Sequence, residues 1–95
     1  MELPKLDYYF DYGGACVWNV GAVEPSSLPI SDSLLKELKD LSNEHDGQID
    51  WNDGSDLWTQ EHRDDFHHRA AIVGKKLQEE LFGKYIVINH FEEYL

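Results

Sequence analysis

The sequence predicts a small two-layer α+β sandwich, three antiparallel strands covered on one face by two helices, in the order β-β-α-α-β. Three observations carry this expectation. Aromatic-rich runs flank Gly13-Gly14 near the N-terminus, two central stretches repeat apolar residues at helical spacing, and an apolar run lies near the C-terminus. At 95 residues the chain makes one domain, 1–95. Its 41% hydrophobic and 13% aromatic content is that of a folded globule, not of an acidic disordered tail.

Tyr8 to Tyr12 and Ala15 to Val20 read as strands of a hairpin, because both glycines at its tip can take positive φ. Cys16, Trp18 and Val20 share one face of the second strand and Ala15, Val17 and Asn19 the other, with Trp18 expected in the core. Gly21 to Pro29, with two prolines, reads as a loop. Ser31 caps the first helix, whose stripe is Leu34, Leu35, Leu38 and Leu41 and which stops at Asp46-Gly47. Ile49 and Trp51 alternate as a short extended segment, and residues 52–56 (NDGSD) form a turn. Thr59 caps a second helix carrying Phe66, Ala70, Val73, Leu77 and Leu81 as far as Gly83. Gly74 costs that helix about 1 kcal/mol against alanine, which implies a close contact there. Tyr85 to Phe91 is the strongest strand, apolar enough to lie centrally in the sheet, and is expected beside Tyr8 to Tyr12.

The formal net charge is −11, from 19 carboxylates against eight Lys and Arg. Phosphate backbones and anionic membranes would be repelled, so direct nucleic-acid or membrane binding is not expected. A basic protein is favoured, with long-range attraction speeding encounter. The lone Cys16, the lack of a signal-like start and the lack of a long apolar run point to a soluble cytoplasmic protein.

The charge is concentrated. Between Asp40 and Asp65 lie nine carboxylates against one fixed cation, Arg63, together with Trp51 and Trp58. The two indoles either fold back to pin the loop to the helices or are exposed to a partner, and Trp58 could also staple the second helix against Phe66. The candidate partner-binding residues are Asp46, Asp50, Trp51, Asp53, Asp56, Trp58, Glu61, Asp64 and Asp65.

Catalytic and metal readings fail on spacing. His62 and His67 are five residues apart, and His67 and His68 diverge by roughly 100° on a helix, so no i, i+4 pair of histidine ligands exists. Around Gly54 an EF-hand would place Ile49 at its first ligand position. Cys16 lies in an apolar strand, where a thiol is buried and inert. His62-Arg63-Asp64 lacks the rest of a kinase signature, and no phosphate-binding glycine loop occurs. No metal, cofactor or catalytic residue is therefore expected.

Several segments together resemble a known family. They are the hairpin with Trp18, Leu28-Pro29-Ile30-Ser31 before the leucine helix, Ile49-Asp50-Trp51, Trp58-Thr59-Gln60-Glu61, and Glu80-Leu81-Phe82-Gly83-Lys84-Tyr85. The set, spanning Tyr9 to Val87, is similar to small acidic bacterial immunity proteins of polymorphic toxin and contact-dependent growth inhibition systems. Relatives tend to carry a proline-rich link between the tryptophans where this chain has residues 52–56. The resemblance implies a non-catalytic protein, monomer or weak dimer, that neutralises a cognate toxin domain. Such domains are often nucleases, whose surfaces are basic. An acidic adaptor or regulatory module binding another basic protein is the alternative, and a small metal-dependent enzyme using the helix from His62 to His68 a further one.

Overall fold

The computed structural model describes residues 2–10, 16–19, 21–47 and 58–95. Among these described residues four strands, β1 (Lys5–Tyr8), β2 (Val17–Asn19), β3 (Gly21–Val23) and β4 (Ile86–Asn89), form a sheet in the order β3-β2-β1-β4. Two helices, α1 (Asp32–Asp46) and α2 (Gln60–Glu80), lie between β3 and β4 in the chain. The α+β sandwich is as expected, but the sheet is not three antiparallel strands. It has four, and β4 runs parallel to β1.

The parallel pairing follows from where the helices begin and end. Ser31 and Glu80 are hydrogen-bonded, so the start of α1 and the end of α2 sit together. Ile86 N–H donates to Pro4 O at 2.9 Å, which puts that same end beside the start of β1. The chain therefore travels back along the sheet between Val23 and Ser31, and β4 sets out in the direction of β1. The sequence expectation ran straight through this segment as a loop. It missed β3, a three-residue strand whose first two residues, Gly21 and Ala22, have little strand preference.

Side chains alternate across each strand, and the register decides which face is core. Leu6, Tyr8, Val17 and Val87 point to the helices and are buried. They meet Leu34, Leu38 and Leu41 of α1 and Phe66, Ala70, Val73 and Leu77 of α2. Trp18 pairs with Asp7, one position out of phase with Tyr8 and Val17, and so lies on the opposite face, turned away from the two helices. That corrects its placement in the core: Val17 fills the inward position. Cys16, just before β2, is buried as expected, and burial pushes its thiol up to about 11. Strand β1 ends at Tyr8, and Tyr12, the Gly13-Gly14 tip and Val20 lie outside the described residues.

Both helix caps are as the sequence indicates. Ser31 Oγ accepts from Leu34 N–H and Thr59 Oγ1 from His62 N–H. At the first cap, Glu80 from the other helix accepts from both the Ser31 N–H and its hydroxyl, the task a third-position Glu performs in a local capping box. Gly83, at φ 83°, closes α2 in the left-handed conformation that favours glycine. Two ion pairs, Glu37–Lys76 and Glu44–Arg69, spaced seven residues apart on each helix, join the antiparallel pair.

Two polar groups fix α2 lengthwise on the sheet. Tyr8 and its β4 partner Asn89, adjacent on the inner face, reach consecutive helix carbonyls. The Tyr8 hydroxyl donates to Ala70 O at 2.9 Å and Asn89 Nδ2 to Ala71 O at 3.0 Å. Both side chains are buried, and a buried donor held to one acceptor tolerates little sliding. Strand β4 lies at an edge of the described sheet and not centrally as its apolar sequence predicts, with Ile86 and Ile88 exposed, and on its outer side the Val87 carbonyl accepts from Gln78 Nε2.

Candidate functional site

One end of the sandwich gathers the last turns of α1, the first turns of α2 and the C-terminal residues. Phe66 forms its floor, with Phe10, His45, Trp58 and Phe91 arranged around it at ring-centroid distances of 5.1 to 5.9 Å between neighbours such as Trp58–Phe66, Phe10–Phe91 and Phe10–His45. Edge-to-face and tilted contacts of this kind favour one arrangement over a fluid cluster. Trp58 belongs to this scaffold. It is half-buried, lies 5.1 Å from Phe66 and 4.8 Å from His62, and so staples the start of α2 to the core.

The carboxylates surround this scaffold. Glu61, Asp64 and Asp65 are exposed on the first turns of α2, where the helix dipole favours negative charge. Asp46 is half-buried at the last residue of α1, where the dipole opposes it. Asp64 accepts from Gln60 Nε2 at 2.9 Å, and Asp65 from Arg69 Nε at 2.7 Å. Asp50, Trp51, Asp53 and Asp56 lie outside the described residues.

The structure adds residues that follow the final strand. A 3-10 turn, Glu92–Tyr94, folds back on α2, with Tyr94 4.6 Å from His67 and its carbonyl 2.8 Å from His68 Nδ1. Glu92 and Glu93 thereby join the acidic end. Burial, helped by the Arg63 guanidinium, lowers the His67 pKa below its ordinary value, while Asp64 and Glu93 oppose the shift. The available signal was Tyr94, an aromatic after two glutamates, which a free tail has no reason to carry.

The histidines do not converge. His62 faces Glu44 and Trp58, His67 faces Phe91 and Tyr94, and His68 takes the Tyr94 carbonyl. Among the described residues no three metal-ligating side chains come together.

Glu44 is the electrostatic link between the helices. It accepts from both amino groups of Arg69, whose Nε holds Asp65, and lies 3.3 Å from His62. The Arg69 hydrogen bond holds the Glu44 carboxyl below its usual range against the opposing effect of burial. A depressed carboxylate pKa stabilises the fold above the unfolded value, about 4.3, and the effect is lost as pH falls through the lower folded value. Glu44→Gln is therefore expected to lower the unfolding free energy by about 1 kcal/mol at pH 7, since the pair is partly solvated. Urea denaturation from pH 7 to pH 3 checks this: the gap between variant and parent should close in the acid range, and a gap constant with pH would refute it.

No helix among the described residues is long and apolar enough to cross a membrane. No curated protein matches the chain. The model of the family described as Serratia CdiI immunity protein-like matches residues 4–92, from the start of β1 to the C-terminal turn. That match takes in both helices and all four strands, and the chain belongs to this family of contact-dependent growth inhibition immunity proteins.

Proposed function

We propose that this protein, a monomer or weak dimer, neutralises a cognate toxin domain in the cytoplasm by binding it, without chemistry of its own, and that the acidic end covers a basic, nucleic-acid-binding surface of the toxin. The observation that carries this reading is the convergence of carboxylates from three separate segments, α1, α2 and the C-terminal turn, on one rigid aromatic scaffold. Nuclease surfaces are basic because they bind phosphate, and an acidic cover both speeds encounter and repels the substrate.

The test is a kinetic one, with the cognate toxin domain as the partner. Association is expected to slow by about tenfold or more between 50 mM and 500 mM salt, with dissociation little changed. An association rate indifferent to salt, or no complex at all, would refute the reading. Inhibition of the toxin should be stoichiometric and should not increase with time beyond that set by binding.

A further inference from the structure

Among the described residues no helix covers the face of the sheet turned away from α1 and α2, and at the acidic end this face carries an ordered aromatic cluster. Tyr9 stacks on Trp18 with centroids 5.0 Å apart and planes within 8°. Trp18 Nε1 donates to the Tyr9 carbonyl at 3.3 Å, which fixes the indole. His90 meets the Tyr9 ring edge-on and its Nε2 lies 3.0 Å from Asp7 Oδ1. Tyr9 is 37% exposed and Trp18 half-buried. The fold buries neither ring, yet it holds both in one orientation.

We propose that this Tyr9–Trp18 stack is the aromatic anchor of the toxin interface and takes an arginine side chain of the toxin, with Asp7 as its carboxylate. The proposal rests on the reading of the chain as an immunity protein that covers a basic toxin surface. Three features support it. A preordered aromatic pair contributes contact area at little entropic cost, which is why such residues carry much of the energy of interfaces. A guanidinium is flat, stacks on indole and phenol faces and pairs with a carboxylate in its own plane, a combination that an ammonium cannot match. The cluster also runs into the acidic end: Phe91, next to His90, packs on His67, and Glu92 and Glu93 follow directly. Trp58, by contrast, is committed to the scaffold beneath. The two surfaces then divide the work, carboxylates setting the rate of encounter and the stack setting the lifetime of the complex.

The experiment measures binding of the cognate toxin domain to full-length variants, with melting temperature as the control for folding. Tyr9→Ala and Trp18→Ala are each expected to raise Kd about tenfold or more through faster dissociation, with Tyr9→Phe close to the parent. Asp7→Asn should weaken binding in the same direction, and should decide the matter together with Tyr9→Ser if Trp18→Ala fails to fold. Hexa-arginine should compete with the toxin at lower concentration than hexa-lysine, and equal competition would overturn the guanidinium assignment. Tyr9→Ala, Tyr9→Ser and Asp7→Asn all within twofold of the parent, while charge reversals on α2 still slow association, would overturn the anchor and leave the proposed function standing. Absence of any complex with the parent protein would overturn both.

Discussion

Replacing Gly74 by alanine lowers the unfolding free energy by about 2–4 kcal/mol, although alanine is the better helix former by about 1 kcal/mol. A Cβ at position 74 would lie 2.5 Å from Asn89 Cγ and 2.6 Å from both of its terminal atoms, with Asn89 itself buried. Asn89 cannot step aside cheaply. Its Nδ2 donates to Ala71 O and its Oδ1 accepts from Phe91 N–H, so moving it breaks the lock between α2 and β4 and frees the turn that leads to the C-terminus. Chemical denaturation of the single variants and of Gly74→Ala/Asn89→Ala tests the mechanism. The double variant should be markedly less destabilised than the sum of the two, because removing the Asn89 amide removes the clash. A Gly74→Ala protein as stable as the parent would mean that the helix and β4 are not in the close contact described.

Reversing Glu61 and Asp64 to lysine slows association with the toxin domain by about 10- to 100-fold at low salt and removes most of its salt dependence. Both side chains are exposed on the first turns of α2, and the change adds four units of charge to the acidic end. The lysines oppose the helix dipole by about 0.3–1 kcal/mol each, so the fold should persist. The matched control is Glu2→Lys/Glu79→Lys, which changes net charge equally; both residues are exposed, and Glu79 lies in the last turn of α2, far from that cluster. Equal slowing by both pairs would show that only net charge matters and that the acidic end has no special place in recognition.

The two experiments bear on different parts of one design. Tyr8 and Asn89 hold α2 in place along the sheet, and the first turns of α2 carry the carboxylates. A lengthwise shift of the helix would move Glu61, Asp64 and Asp65 together relative to the Tyr9–Trp18 stack on the sheet. Loss of the Asn89 contact is thus expected to disturb binding as well as stability.

What the sequence by itself determined is local. The Ser31 and Thr59 caps, the leucine stripe of α1, the Gly83 stop and the apolar final strand each depend on residues a few positions apart, and so each was legible from spacing alone. The close contact at Gly74 was legible too, because a mid-helix glycine needs a reason. The family could be read from several short segments taken together. Tertiary structure alone decided the parallel pairing of β4, the outward face of Trp18, the recruitment of Glu92 and Glu93 and the commitment of Trp58 to the core edge. Each depends on where a distant segment comes to rest. A strand alternates faces with a period of two, and one step in register turns every side chain over. In this protein that step is set by Tyr8 and Val17 pointing at the helices, which puts Trp18 on the side of the sheet turned away from them, beside Tyr9.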